Sequence, residues 1–210
     1  MNRLWGGNAD RGDSVRLEAF SDGVLAIAIT LLILDVRLDQ EPGQSLAVAL
    51  GNAGPQMIAY AATFLQIGIM WVNHHALFRI VARVDSLLLL ANLLLLGFVV
   101  FLPLPTRLLA EHTTGDDART AMLLYGATLT GCAVAFNLIW RHVVRRGLLI
   151  DGVRAEFRRD VDIRYLAGLG GYLVATLLAF VQPWLTLATT VVLALVFLLG
   201  PSPRPALPDP

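Results

Sequence analysis

The sequence contains no lysine, only one cysteine and few charged residues of any kind. Its 16 basic residues are all arginines, and charged residues make up 15% of the 210-residue chain. A single cysteine excludes an intrachain disulfide framework and a cysteine-based metal cluster. The formal net charge is zero, so no overall basic field favours binding to nucleic acid.

Several familiar site motifs are also missing from the chain. There is no Gly-rich phosphate loop, no nucleophile elbow and no Thr-Val-Gly-Tyr-Gly potassium filter. His74 and His75 are adjacent, so on a helix they do not share a face as two metal ligands would. We therefore expect no catalytic residue, no cofactor and no resident metal.

Long apolar segments are what the sequence does contain. Hydrophobic residues make up 56% of the chain, which predicts an all-α membrane protein. We expect a single six-helix transmembrane domain over residues 1–200, followed by a short Pro-rich cytoplasmic tail at 201–210. The last segment is near the lower length limit for a membrane crossing. The six predicted crossings are residues 17–38, 53–77, 84–110, 118–143, 161–181 and 184–200.

Arginines are distributed unevenly between the two sides of this layout. The N-terminal segment and the second and fourth connections are rich in arginine, whereas the opposite side holds only Arg37, Arg107 and Arg119. Loops enriched in arginine and lysine remain on the cytoplasmic side of a membrane. Both termini are therefore predicted to be cytoplasmic.

An acidic residue lies inside the first apolar segment. Only about a dozen uncharged residues separate Asp22 from Asp35, and at roughly 1.5 Å per residue they span about 18 Å. The hydrocarbon core is about 30 Å thick, so a crossing helix must take Asp22 into the membrane. An ionisable side chain at that depth requires a polar partner or a functional reason.

The second segment carries polar residues at a depth similar to that of Asp22. We predict that Ser21 and Asp22 form hydrogen bonds with one or more of Asn73, His74 and His75, because an amide or an imidazole makes a membrane-embedded carboxylate tolerable. Two roles fit such a cluster. It is either a polar staple between two helices or a group that senses or carries protons, since histidine titrates near neutral pH.

The first helix has a second, uncharged face. At 100° per residue, Ile27, Thr30, Leu31 and Leu34 fall within an arc of roughly 100°, and Asp22 points about 140° away. Such a stripe fits ordinary helix packing. It also fits a pore, where a hydrophobic constriction gates by dewetting and threonine hydroxyls contact an ion.

These residues resemble the prokaryotic branch of the transmembrane protein 175 family of potassium channels. Arg16 is followed after three residues by Phe20-Ser21-Asp22 and an apolar run to residue 32. The segments Trp-Val-Asn-His-His at 71–75 and Phe-Leu-Pro-Leu-Pro-Thr at 101–106 extend the similarity. Together with the six-span layout, the resemblance covers residues from about 16 to 200.

The resemblance implies a potassium-selective leak channel. It implies a homotetramer in the prokaryotic inner or plasma membrane, with the first helix of each subunit lining a central pore and no re-entrant filter loop. Ile27 would form the narrowest hydrophobic constriction, continued by Leu31 and Leu34, and Thr30 would form the selectivity layer. Signature and helix-anchoring positions would be Arg16, Phe20, Ser21, Asp22, Asn73, His74 and His75.

The implied partners are potassium ions, membrane lipids and identical subunits, with no nucleic acid and no metal beyond transient potassium. An alternative is a proton-coupled transporter or proton-permeable channel that uses Asp22 and His74 or His75. An intramembrane enzyme or a structural subunit is a third possibility. One departure from the family pattern lies in the third helix, where Pro103 and Pro105 surround Leu104, and we expect it to have no effect on the pore.

Overall fold

The computed structural model describes residues 11–199, and nearly all regular structure in this range is helical. Short 3-10 turns extend two of the helices, at Leu32–Asp35 and Leu178–Phe180. The α-helices within the described range are α1 (Arg11–Leu31), α2 (Leu46–Asn52), α3 (Gly54–Phe78), α4 (Ser86–Phe101), α5 (Pro103–Glu111), α6 (Gly115–Arg145), α7 (Ala155–Leu177) and α8 (Pro183–Leu199).

Five helical stretches of the described chain are long and apolar enough to cross a membrane. They follow the first five predicted segments closely, and the sixth segment forms α8, an apolar helix of 17 residues. The chain is thus an all-helical, multi-pass membrane protein. The predicted tail at 201–210 lies outside the described residues. The five stretches are Gly12–Asp35, Gly54–Phe78, Ser86–Glu111, Gly115–Arg145 and Ala155–Phe180.

Helix α1 buries one face against α3 and α4. Apolar and small residues recur every three or four positions along this face, which is the spacing of one side of an α-helix. The opposite face of α1 remains exposed in the single chain. The buried positions are Ser14, Leu17, Ser21, Leu25 and Ala28 on α1, and Leu32 in the 3-10 turn that extends it.

The third predicted segment is divided into α4 and α5 at Leu102. Pro103 and Pro105 have no backbone N–H, so the hydrogen-bond ladder of α4 cannot continue through them. The Thr106 hydroxyl donates to the Leu102 carbonyl at 2.8 Å, and the Thr106 amide also donates to it at 3.1 Å. The two prolines therefore produce a break that the single segment predicted over residues 84–110 did not include.

Helix α2 lies in the connection between the first two predicted crossings and was not among the predicted helices. Ser45 precedes it, and the Ser45 hydroxyl accepts a hydrogen bond from the amide of Val48 at 3.4 Å. Serine is a favoured residue at this capping position. The capping serine is visible in the sequence. The apolar spacing does not indicate a helix here because α2 has only seven residues.

Helix α6 lies at the centre of the bundle and packs against α4, α5, α7 and α8. Tyr125, Leu129 and Trp140 on α6 are completely or almost completely buried. Gly126 permits a close approach to α7, since a Cβ atom at this position would lie 3.0 Å from the Cα of Thr176. The absence of a side chain at Gly126 thus sets the spacing between α6 and α7.

Two arginine-containing connections meet at one end of the bundle. Backbone hydrogen bonds join Ala82 to Leu148 at 2.8 Å and Ile150 to Ile80 at 3.0 Å. The Ser14 hydroxyl near the start of α1 donates to the Val81 carbonyl at 3.3 Å, so α1 also begins here. We call the first turn of α1, residues 79–85 and residues 146–154 the arginine-rich end.

Candidate pore helix and its polar anchor

The uncharged stripe predicted on the first helix lies on the exposed face of α1 and continues to Leu34 in the 3-10 turn that extends it. Ile27, Leu31 and Leu34 have 62%, 42% and 71% of their surface exposed in the single chain. Thr30 is also exposed, and its hydroxyl donates to the Ile27 carbonyl at 2.9 Å. The threonine oxygen thus keeps its lone pairs available on an otherwise apolar surface.

Two residues of the predicted signature continue this exposed side toward the arginine-rich end. Phe20 is 54% exposed, and Arg16, one turn earlier, is exposed as well. Arg16, Phe20 and Ile27 are separated by four and seven residues, which places them along one side of the helix. This side of the described helix therefore presents a guanidinium group, an aromatic ring and then an aliphatic surface, in that order.

Asp22 does have a polar partner on α3, but it is Trp71. The indole Nε1–H of Trp71 donates to Oδ1 of Asp22 at 3.0 Å. The predicted pairing with Asn73, His74 or His75 was wrong for this carboxylate. Tryptophan is a hydrogen-bond donor as well as amides and imidazoles, and Trp71 lies in the same motif as Asn73, His74 and His75.

Ser21 is linked to His74 through Asn92 on α4. The Asn92 amide Nδ2 donates to the Ser21 hydroxyl oxygen at 2.8 Å, and Oδ1 of Asn92 lies 2.9 Å from Nε2 of His74. Ser21 in turn donates to the Leu17 carbonyl at 2.8 Å. All three side chains are completely buried, so this series of hydrogen bonds joins α1, α4 and α3 in the interior.

Sequence reasoning missed Asn92. The available signal was a lone amide within an otherwise apolar run of leucines at 87–96. A polar group in such a position is costly unless it is hydrogen-bonded. Asn92 therefore bridges Ser21 and His74, and the contact predicted between these two residues is indirect.

The orientation of Asn92 defines the tautomer of His74. Because Nδ2 of Asn92 donates to Ser21, its carbonyl oxygen faces the imidazole and accepts from Nε2–H. Nδ1 of His74 is then the unprotonated nitrogen, and it has no hydrogen-bond partner within the described residues. The ring stacks on Phe78 with a centroid distance of 4.3 Å.

His75 and Asn73 take no part in these buried hydrogen bonds. Nδ1 of His75 lies 2.7 Å from a carboxylate oxygen of Glu18, which gives α1 and α3 a second contact near Asp22. Asn73 is half-buried and lines a small cavity of about 60 Å³ that also borders α6 and α7. The seven predicted signature residues thus fall into an exposed side, an interhelical anchor and a cavity wall.

These contacts hold α1 in place and leave its stripe uninvolved. Asp22 and Glu18 join α1 to α3, and Ser21 joins it to α4. No described hydrogen bond connects Asp22 to His74. A side-chain amide separates Ser21 from the imidazole, so residues 11–199 do not form a continuous chain of acid and base groups here.

Another charged cluster lies at the arginine-rich end. Asp85 caps α4 by accepting from the amide of Leu88 at 2.8 Å, and both of its carboxylate oxygens lie 2.8 Å from Nε2 of His142. Arg146 is 3.8 Å from the same carboxylate. Burial alone would raise the pKa of Asp85, but the bonds from Leu88 and His142 and the charges of His142 and Arg146 hold its pKa below the ordinary value.

Comparisons with known proteins agree with the motifs and the fold. The sequence profile of the family described as endosomal/lysosomal potassium channel TMEM175 matches residues 16–103. A potassium channel of Streptomyces collinus is 46% identical over 196 residues, which make up 92% of this chain and 95% of that protein.

A solved structure has the same fold over most of the chain. It is the crystal structure of a Chamaesiphon minutus homologue of the lysosomal potassium-selective channel TMEM175, and it matches with a TM-score of 0.79 and 38% identity. The match covers 90% of this chain and 97% of that one. The rat endosomal/lysosomal proton channel TMEM175 is 46% identical over 130 residues, 58% of this chain but 25% of the rat protein.

Proposed function

Because this chain belongs to the TMEM175 family of ion channels, we propose that it conducts potassium passively through a pore lined by α1. It is a channel protein and not an enzyme. The observation that carries the proposed position of the pore is the exposed stripe of Ile27, Thr30, Leu31 and Leu34. The acidic and imidazole groups of α1 and α3 make contacts outside this stripe, which leaves an uncharged surface for the ion path.

One chain provides only one wall of such a pore. A central path requires several copies of α1 arranged around an axis, and closed rings of identical subunits are the usual solution. We propose a homotetramer, as the family resemblance implies. The buried face of α1 packs within its own subunit, so its exposed face is available to line the axis.

The residues along the stripe have different roles in this proposal. Ile27 forms the narrowest point, and Leu31 and Leu34 extend the apolar wall so that dewetting limits conduction. Thr30 adds a layer of hydroxyl oxygens, which replace part of the hydration shell of potassium. Arg16 and Phe20 form the entrance, and the anchoring contacts of Ser21 and Asp22 keep α1 in register.

The proposed topology has six crossings, with α8 as the sixth and with both termini in the cytoplasm. Contact between the two arginine-containing connections at one end of the bundle supports this orientation. We place the protein in the prokaryotic inner or plasma membrane. Residues 1–200 then form a single channel domain.

Potassium flux from liposomes tests the proposed constriction. Protein reconstituted in potassium-loaded liposomes should give a passive current that reverses near the potassium equilibrium potential. Ile27→Asn should raise this current, because a polar side chain hydrates the apolar wall. Ile33→Asn is the matched control, since Ile33 is also exposed but lies outside the stripe. Equal currents for Ile27→Asn and the unsubstituted protein would contradict a constriction at Ile27.

Selectivity tests the hydroxyl layer. Thr30→Val keeps the shape of the side chain but removes the oxygen, so the preference for potassium over sodium should fall. Thr120→Val serves as the control, because its exposed hydroxyl makes a similar backbone hydrogen bond on α6. An unchanged reversal potential in mixed potassium and sodium solutions would exclude Thr30 as the selectivity layer.

Proton conduction is the second candidate function. It is favoured by the name of the rat relative and by the acidic and imidazole groups near the start of α1. The separate contacts of Asp22 and His74 argue against a relay between them. A current that follows the proton gradient and disappears in Asp22→Asn would favour this alternative, whereas a current that persists without a proton gradient favours potassium conduction.

A further inference from the structure

A groove runs between α4 and α6, and none of the residues that line it lies on α1. It has a volume of about 430 Å³. One wall is aliphatic, and the other changes from aliphatic to basic toward the arginine-rich end. The lining residues are Leu87, Leu90, Ala91 and Leu94 on α4 and Leu138, Arg141, His142 and Arg145 on α6.

Helix geometry orders these residues along the groove. On each helix they are spaced three, four and seven positions apart, so each set forms a single face. Helix α4 begins at Ser86 and α6 ends at Arg145, and the contact between Asp85 and His142 brings these two ends together. Arg145 therefore lies at the mouth of the groove, and Leu94 and Leu138 lie farther into the membrane span.

Two guanidinium groups at the mouth are not neutralised by the described chain. Arg141 and Arg145 are exposed, and neither forms an ion pair or a side-chain hydrogen bond within residues 11–199. Asp85, an acid that contacts the same end of α6, is occupied by His142 and Arg146. The mouth thus presents two positive charges directly above an apolar wall.

We propose that this groove binds an anionic phospholipid. Its phosphodiester contacts Arg141 and Arg145, and one acyl chain lies along Leu90, Leu94 and Leu138. Charge complementarity selects the headgroup, since arginines at a membrane surface attract anionic lipids. Four lining leucines are 44–58% exposed in the single chain, and a lipid chain would cover this surface. A soluble phosphate would use the charges and leave the apolar wall uncovered.

Native mass spectrometry of the purified full-length protein in mild detergent tests the site. The protein is titrated with phosphatidylglycerol, with phosphatidylcholine of the same chain length, and with glycerol phosphate, which has the charge but no acyl chain. We expect saturable binding of phosphatidylglycerol and at least about tenfold weaker binding of the other two ligands. Equal binding of the two lipids would overturn the role of the charges, and equal binding of glycerol phosphate would overturn the role of the leucines.

A matched pair of double variants distinguishes lipid binding at the groove from a general attraction of the lipid to surface charge. Arg141→Gln with Arg145→Gln should weaken phosphatidylglycerol binding by about tenfold or more, because each arginine near an anionic lipid contributes roughly a fivefold gain. Arg158→Gln with Arg159→Gln removes the same charge from an exposed part of α7 and should leave binding unchanged. Equal losses in the two double variants would overturn a localised site.

A bulky residue in the groove tests the acyl-chain position without changing charge. Leu90→Trp should weaken phosphatidylglycerol binding by severalfold and leave the oligomer mass unchanged. Unchanged lipid binding in this variant would overturn the proposal. A change of oligomer mass would overturn it as well, because it would identify the groove as a contact between subunits.

Discussion

The indole nitrogen of Trp71 lies 3.0 Å from a carboxylate oxygen of Asp22 and donates a hydrogen bond to it across the α1 and α3 interface. In the proposed pore, the side chains that face the ion depend on the rotation of α1 about its axis. The Trp71 contact opposes rotation of α1 about its axis. It does so with an acid that faces away from the uncharged stripe.

Trp71→Phe tests this contact by removing the donor and keeping an aromatic ring. Loss of a hydrogen bond to a partly exposed carboxylate should cost about 1 kcal/mol. That cost lowers the unfolding temperature by roughly 2–4 °C for a chain of this size. Thermal unfolding in detergent, followed by circular dichroism, measures the shift. Trp184→Phe is the control, and an equal shift in both variants would mean that the hydrogen bond contributes nothing.

Asn92→Ala should be more destabilising than Ser21→Ala. Asn92 is the shared partner of Ser21 and His74, so its removal leaves both ring nitrogens of His74 without a described partner, whereas Ser21 keeps its hydrogen bond to Leu17. We expect a loss of about 2–4 kcal/mol for Asn92→Ala and about 1 kcal/mol for Ser21→Ala. The same thermal measurement compares them. Similar losses of stability in the two variants would show that the contact between Asn92 and His74 does not contribute to the free energy of unfolding.

The stability of the folded protein should decrease at acidic pH, in part because Asp85 becomes protonated. Its pKa is lower in the folded protein than in the unfolded chain, so Asp85 stabilises the fold above the ordinary carboxylate pKa of about 4. This contribution is lost as the pH falls through the lower pKa of the folded protein. Asp85→Asn, which still caps α4, should therefore show a smaller decrease in unfolding temperature between neutral and acidic pH.

The control for the pH experiment is Asp39→Asn, since Asp39 is exposed in the first connection. Its pH profile should match that of the unsubstituted protein. If the pH profile of Asp85→Asn also matches that of the unsubstituted protein, the contacts of Asp85 with His142 and Arg146 do not stabilise the fold.

Gly126→Ala should separate α6 from α7. The added Cβ would lie 2.7 Å from the Thr176 hydroxyl oxygen and 3.0 Å from its Cα, so backbone must move. We expect a loss of about 1–3 kcal/mol, as in other overpacked interiors. Gly97→Ala is the matched control, because its Cβ would meet no atom within 4 Å and alanine is the better helix former. A Gly126→Ala variant as stable as Gly97→Ala would contradict tight packing at this position.

Much of the helical fold is predictable from the apolar period and the segment lengths. The two faces of α1 follow from 100° per residue, and residues 27, 30, 31 and 34 do lie on the exposed face. The break at Leu102 was also within reach, because proline interrupts a helix for a local reason. Local rules of this kind act over a few residues and can be applied to a single sequence.

The pairing of polar side chains was less predictable. Asn92 is 71 residues from Ser21 and 18 from His74, and only the packing of α4 brings the three together. Depth along the membrane predicted that residues of α1 and α3 meet. It could not determine which donor reaches which acceptor, since helix rotation and tilt are decided by tertiary packing.

The separation of the two faces of α1 has a consequence for protein engineering. Changes at Ser21 or Leu25 affect the interior of the subunit, whereas changes at Ile27, Thr30 or Leu34 affect a surface that makes few contacts within it. In the proposed pore, the positions that determine conduction would therefore be open to wide variation at little cost in folding yield. A library confined to the exposed positions should retain expression in most of its members, so that differences in growth on limiting potassium would report ion flux.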